Sequence, residues 1–209
     1  MGIKNFFNPN RQEAMSKNLL NLKGNTQLFN KLTTLQNEVT VSSDAKVVAI
    51  TSISNDLLAA SFAKAFAETY SLNGSSSLII DANLYNPTLA KLLGKPEGDA
   101  QIDDGDKFEL QVIDEKSKAI CLEKNIYPSD VYKSGKIQKM VNDNLDKYEH
   151  IIILVPSIKE YKEVSLISDV VKSVILIAQR NITKKKDIYE SLVYFNTKKL
   201  PLAKVVILK

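Results

Sequence analysis

The sequence has one cysteine, one histidine, no tryptophan and seven glycines among 209 residues. A single Cys excludes an internal disulfide and a structural zinc site of the CxxC type. A single His excludes a poly-His metal centre. Seven Gly leave few positions for glycine-rich phosphate loops. No apolar run approaches the ~18 residues needed to span a bilayer, and Met1 to Gln12 contains no signal-peptide hydrophobic region. Charge of one sign is scarce too: 28 Lys plus Arg stand against 24 Asp plus Glu, for a net +4 that is mixed along the chain. A dedicated nucleic-acid binder carries a basic patch or stripe. The densest run here, Lys184-Lys185-Lys186, reads as a solvated helix start. The absences together predict a cytoplasmic protein with no metal centre, no nucleic-acid partner and no membrane span. A single Cys121 suits a reducing compartment.

What is present is an ordinary globular composition, 44% apolar and 25% charged. A chain of this size buries about 70% of its extended surface without a staple. Residues 1–25 are polar and weakly periodic and read as an N-terminal extension, with Phe6-Phe7 as a short hydrophobic anchor before the turn Asn8-Pro9-Asn10. Residues 26–209 read as a single α/β domain. Leu28, Phe29, Leu32, Leu35 and Val39 repeat at helical spacing. Val47 to Thr51 is an all-apolar strand of the kind covered on both faces in a parallel sheet. Leu58, Phe62, Phe66 and Tyr70 step by four, predicting a helix over 56–72 capped by Asn55 or Asp56 and ended at Asn73-Gly74.

Leu78 to Asp81 is the second strand, and Pro87 to Leu93 a short helix. Residues 95–106 are a loop by composition. Phe108, Leu110 and Val112 alternate as a half-buried strand would, and Ala119 to Leu122 suggests another. Ile137, Met140, Val141 and Leu145 form a helical stripe, and His150 to Val155 is the strongest buried-strand signal. Val164, Ile167, Val170 and Val171 suit a helix, Val174 to Ala178 a buried strand, Ile188, Leu192 and Phe195 a last helix, and Val205 to Leu208 a last strand. Strands alternating with helices predict a doubly wound, mostly parallel sheet with helices on both faces. Ligands in such sheets sit at the strands' carboxyl ends, just after Thr51, Ile80, Val155 and Ala178.

Four of these segments resemble, in order, the cytoplasmic bacterial tyrosine kinases of capsular and exopolysaccharide synthesis, relatives of the partitioning and septum-placement ATPases. Val48 to Ser52 resembles the strand entering their P-loop. Leu78-Ile79-Ile80-Asp81-Ala82-Asn83-Leu84-Tyr85-Asn86-Pro87 resembles their second acidic motif, Asp-x-Asp-x-Arg-x-Pro. Tyr127-Pro128-Ser129-Asp130-Val131 resembles their Asn-Pro-Ser-Glu-Leu segment. Tyr148 to Ser157 resembles their Walker B strand. The resemblance runs from about Gln27 to Leu208 and implies a P-loop NTPase-like fold, with Mg²⁺-ATP as the family cofactor.

The chemistry that the resemblance implies is depleted in these residues. A working P-loop cradles phosphates with Gly N–H groups, a Lys and a Mg²⁺-binding Ser/Thr. The pattern GxxxxGK[ST] occurs nowhere, and Ser54-Asn55-Asp56 stands where the loop and helix start would be, about four residues shorter and with neither Gly nor Lys. Asp56 at a helix start favours the helix dipole and repels an anionic ligand. Asp81 matches the first Asp of the acidic motif, but Asn83 replaces the second and Tyr85 the Arg. Leu154 replaces the Walker B Asp and cannot hold a cation. These positions are therefore expected to be vestigial, with no catalytic residue, no metal and no cofactor. Asp81 reads most simply as a strand-end carboxylate capping the turn before Pro87, and Ser54 to Asp56 as a helix cap. Cys121 reads as a buried thiol, His150 as a strand-edge residue, and Tyr132, Tyr148 and Tyr161 as packing residues with wet hydroxyls.

The ring-forming Glu-x-x-Arg-x-x-Arg motif of the family aligns with uncharged Gln27, Asn30 and Thr33, which weakens the expectation of a ring and leaves a homo-oligomer open. The family's Tyr-rich tail is not expected, because the sequence runs to Lys209 directly after the last strand. The resemblance thus implies an inactive kinase-like protein of polysaccharide assembly, held at the membrane only through a partner. That partner would be a membrane chain-length regulator or a kinase paralogue, contacted through Phe6, Phe7 and the helix from Gln27 to Val39. The alternatives are an ATP-dependent tyrosine kinase or ATPase with a non-standard nucleotide site, using Asp81 for Mg²⁺ and a lysine from the 184–186 run or another subunit, and a partitioning- or septum-type regulator.

Overall fold

The computed structural model describes residues 20–43, 45–94, 110–125 and 127–208. The elements are α1 (Thr26–Ser43), β1 (Val47–Ser52), α2 (Asp56–Leu72), β2 (Ser77–Asp81), α3 (Leu89–Leu92), β3 (Gln111–Val112), β4 (Ser117–Cys121), α4 (Pro128–Lys133), α5 (Lys136–Asn142), β5 (His150–Leu154), a 3₁₀ turn at Glu163–Ile167, β6 (Ser173–Gln179), α6 (Lys185–Thr197) and β7 (Leu202–Leu208). The strands form one sheet in the order β3-β4-β2-β5-β1-β6-β7. All neighbours are parallel except β3 and β4.

Strand side chains alternate between two apolar layers. Val47, Ala49, Ile80, Ile151 and Ile153 pack under α4, α5 and α6 with Tyr132, Ile137, Val141 and Phe195. Val48, Ile50, Ile79, Ile152 and Leu154 pack under α1, α2 and α3 with Leu32, Phe62, Phe66 and Leu89. Coverage on both faces explains why β1 and β5 are apolar at almost every position. Helix α2 lies closest to the sheet, because Ala59, Ala60, Ala63, Ala65 and Ala67 are fully buried and let its backbone approach. Along it, Phe62 stacks on Phe66 at 5.6 Å and Phe66 meets Tyr70 edge-on at 5.3 Å. The helix ends in a Schellman arrangement: Gly74 adopts φ +93°, Ser75 N donates to Tyr70 O at 3.0 Å and Gly74 N to Ser71 O at 2.9 Å.

Three sequence expectations need correction. The helix expected over Val164 to Val171 is only the 3₁₀ turn Glu163–Ile167 followed by turns. Val164, Ile167 and Val171 are buried as expected. However, Ser165 and Ser168 turn their hydroxyls back onto the carbonyls of Lys162 and Ser165, competing with helix bonds among β-branched neighbours. The half-buried strand of Phe108, Leu110 and Val112 also faces the other way. Phe108 lies outside the described residues, Gln111 is buried, and Leu110 and Val112 are exposed. The Asp114 carboxylate accepts the N–H groups of Lys116 and Ser117 and fixes a hairpin that sets Gln111 opposite Ala119. In α6 the buried stripe is Ser191 and Phe195, flanked by half-buried Ile188, while Leu192 is exposed. The Lys184 to Lys186 run is a solvated helix start, all three residues being exposed.

Candidate functional site

The carboxyl ends of β1, β2, β5 and β6 meet at one rim of the sheet, and each is closed by hydrogen bonds from the chain itself. Only Ile53, Ser54 and Asn55 separate β1 from α2. Ile53 N donates to Ile177 O at 2.9 Å, tying this connection to β6. Asn55 N donates to Ser52 Oγ at 2.9 Å, Asn55 Oδ1 accepts from Leu58 N at 3.0 Å, and Asn55 Nδ2 donates to Gln179 Oε1 at 3.1 Å. Asn55 is therefore the N-cap of α2, with its side chain satisfying a first-turn N–H group. The segment after β5 closes over the same connection: Ile158 N donates to Ser52 O at 2.8 Å and Lys159 N to Ile53 O at 3.2 Å. Thr51 Oγ1 donates to Pro156 O at 2.7 Å.

Asp56 does not cap the helix. Its carboxylate accepts from Ser157 N at 2.9 Å and from the side-chain amides of Asn83 and Asn86. Burial pushes its pKa up against these donors, and the nearby Glu160 carboxylate adds to the rise. The negative charge at the first turn of α2 is thus supplied from within the chain, where it also meets the positive end of the helix dipole.

Asp81 is fully buried at the end of β2. Its Oδ1 accepts from Asn83 N at 3.1 Å and its Oδ2 from Leu89 N at 3.0 Å. Both oxygens are thereby committed to the turn and to the start of α3, the capping role read from the sequence. Burial raises this carboxyl to about 7, and the Asp56 charge pushes in the same direction. Asn83 is buried and holds the next turn, its Oδ1 accepting from Asn86 N at 3.2 Å.

The sequence candidates therefore separate. Asp56, Asp81 and Asn83 form one network. Asn55 borders it as the cap, and Ser54 is exposed on the connection. Leu154 pairs with Asp81 in register, but its side chain is buried in the α2 layer. On α1, Gln27 and Asn30 are exposed, while Thr33 is half-buried and accepts from Asn73 Nδ2 at 3.2 Å. Phe6 and Phe7 lie outside the described residues. Cys121 is buried in β4. His150 starts β5 and stacks on Tyr70 at 3.8 Å, where burial lowers its pKa.

Tyr132 departs from expectation, because its hydroxyl is fully buried and donates to Ala82 O at 2.5 Å rather than meeting water. Tyr85, which stands in the acidic motif, is joined at the rim by three residues that sequence reasoning did not place there, Ser129, Tyr161 and Glu163. Tyr85 Oη donates to Glu163 Oε1 at 2.5 Å, Ser129 Oγ donates to the same oxygen at 3.1 Å, and the Tyr85 ring stacks on Tyr161 at 3.6 Å. This latch joins the loop after β2 to α4 and the 3₁₀ turn. The segments containing Tyr85 and Ser129 stood out in the sequence; Glu163 carried no signal of its own. Among the described residues, no group of three His, Cys, Asp or Glu side chains could hold a metal ion, and no helix is long and apolar enough to cross a membrane.

No family model and no curated protein matches the sequence. Solved structures do match the fold. The kinase domain of the Escherichia coli tyrosine kinase Etk superposes with TM-score 0.75 at 13% identity, covering 86% of this chain and 74% of that one. The VpsO kinase domain superposes with TM-score 0.73 at 16% identity over 98% and 99%. The MinD cell division protein of Aquifex aeolicus superposes with TM-score 0.56 at 13% identity over 78% and 68%. The chain has the fold of bacterial tyrosine kinase domains and, more broadly, a P-loop NTPase-like doubly wound architecture.

Proposed function

We propose that the protein is a catalytically inactive tyrosine-kinase-like component of capsular or exopolysaccharide assembly that acts by protein contact. Its partner would be the cytoplasmic end of a membrane chain-length regulator or an active kinase paralogue. The kinase-domain fold supports the family side of this reading. The inactive side rests on one observation above all: at the start of α2, where this fold would receive a phosphate, the Asp56 carboxylate already accepts the N–H of Ser157 and the amides of Asn83 and Asn86.

The residues at this rim do not fit Mg²⁺-ATP. Phosphoryl transfer depends on positioning and charge neutralisation. The connection between β1 and α2 has neither Gly nor Lys, Leu154 offers no oxygen, and both oxygens of Asp81 are engaged by backbone N–H groups. A nucleotide would have to displace Asp56 and bring its own phosphates beside two carboxyls. An active, non-standard kinase or ATPase is disfavoured on the same grounds. A partitioning- or septum-type role shares only the broader fold.

A thermal-shift titration with Mg²⁺-ATP and Mg²⁺-ADP tests the inactive reading. A ligand at 100 times its dissociation constant stabilises a fold by about 2.7 kcal/mol, roughly 5–10 °C for a domain of this size. No shift is expected, and a clear Mg²⁺-dependent rise would overturn the reading. The contact is tested separately with a chain-length regulator's cytoplasmic tail. Deleting residues 1–25 is expected to abolish binding; unchanged binding would remove that segment as the contact.

A further inference from the structure

The two edges of the sheet are built differently. At one edge, β3 has two residues. At the other, β7 has seven, Leu202–Leu208, with no proline and one charge. Among the described residues, no strand pairs with its outer side. Arg180 N donates to Leu208 O, so Leu208 turns its backbone groups toward β6, and by strand alternation Val205 and Ile207 turn theirs outward. A long apolar edge of this kind is a template for pairing unless it is guarded. Its one charge, Lys204, does not stand guard, since it is drawn onto α1 in an ion pair with Glu38 at 2.8 Å.

Helix α6 adds a second surface beside this edge. Its inward flank is fixed by Asp187, which accepts from Lys159 Nζ at 3.0 Å, and by Tyr194, whose hydroxyl donates to Lys162 O at 3.2 Å. Both partners lie on the segment after β5, toward the middle of the sheet. The opposite flank therefore faces the β7 edge, and it carries Tyr189 and Leu192, 68% and 37% exposed, with Val193, 46% exposed, beside them on the solvent side of the helix. Ile207 on β7 is 60% exposed. These four side chains offer on the order of 400 Å² of apolar surface, about half of the ~800 Å² per partner that a specific interface buries. The backbone edge and its polar rim would supply the rest.

We propose that two copies of this chain pair through antiparallel β7 strands about a two-fold axis near Val205, with their α6 helices packed against each other. The spacing fits. Phe195 of α6 belongs to the same apolar layer as Leu176 of β6, and Leu202 and Val205 of β7 pack against that layer, which sets α6 over β6 and β7. In the pair, the two α6 helices would stand about two strand spacings apart, roughly 10 Å, which is the distance at which helices pack. The same patch serves both copies, as a two-fold interface requires.

Sedimentation velocity of the full chain over a concentration series tests this. The wild type is expected to form a dimer at micromolar concentrations. Val193→Glu and Tyr189→Lys alter exposed side chains and are each expected to weaken association by about tenfold or more, with circular dichroism and melting of the dilute chain unchanged. Val205→Pro removes an outward N–H and is expected to block pairing by the edge itself; should it fail to fold, the two surface variants decide. A wild-type monomer at ~100 μM, a concentration that would populate a dimer of micromolar affinity, would overturn the proposal. So would a dimer that survives the two surface substitutions.

Discussion

Replacing Asp81 by Asn should reverse the sign of its own effect on stability between about pH 4 and pH 8. Asp81 has an ordinary value of 3.8 and is raised by burial to about 7 in the fold. Between these values the folded chain keeps a proton that the unfolded chain has released. Each pH unit in that window therefore costs the fold about 1.4 kcal/mol. The contribution is whole below pH 3.8 and lost once the pH passes about 7, a total of about 4 kcal/mol. Asp56, raised for the same reason, adds to the slope in the same direction.

Asparagine never ionises. Its single carbonyl oxygen can serve Asn83 N or Leu89 N but not both, a fixed loss of about 1–2 kcal/mol. The variant should therefore be less stable than wild type by about 1 kcal/mol near pH 4, equal to it at about pH 4.5–5.3, and more stable by about 2–3 kcal/mol at pH 8. Urea unfolding at about pH 4, 5 and 8, with matched slopes, reads this directly. A stability difference independent of pH would refute the reasoning. It would mean that the backbone N–H donors hold Asp81 ionised and outweigh its burial.

Asn55→Ala removes the side-chain cap of α2 and its bond to Gln179, and should cost about 1 kcal/mol in urea unfolding, more than Ser54→Ala on the exposed connection. Phe66→Ala empties a fully buried position between Phe62 and Tyr70 and should cost about 3–5 kcal/mol, lowering the melting temperature accordingly. Tyr85→Phe leaves the buried Glu163 carboxylate with Ser129 as its remaining hydroxyl donor and should destabilise by about 1–3 kcal/mol; an unchanged melting temperature would mean the latch contributes nothing.

The elements that periodicity specifies strongly were legible. Residues 56–72, 78–81, 150–155 and 174–178 carry apolar patterns set by burial on one or two faces, and the structure places helices and strands there. The cap was legible to within one residue, Asn55 or Asp56, and the stop at Gly74 outright, because each has a local mechanism, a side-chain acceptor and a positive φ. The 164–171 stretch misled because its apolar spacing suits a helix while its serines and β-branched residues favour turns. At the rim, the absence of Gly and Lys between β1 and α2 and the leucine at position 154 could be read from residue types alone. What fills the space could not: the bonds from Asp56 to Ser157, Asn83 and Asn86, and the Tyr85 to Glu163 latch, join segments 27 to 101 residues apart and depend on strand order.

Leu154 bears on how readily this rim could be given a nucleotide site. It lies beside Asp81 and Ile50 in the sheet, 1% exposed, and supports the apolar layer under α2. A carboxylate placed there alone would be a third acid next to Asp81 and Asp56, buried and with no cation to balance it, and such a charge costs several kcal/mol. A lysine or a longer glycine loop introduced first would have to displace Asp56 from the donors it already holds. Each single step toward a nucleotide site is opposed by the packing before any ligand can reward it. Building such a site by single substitutions therefore runs uphill through the protein's own stability.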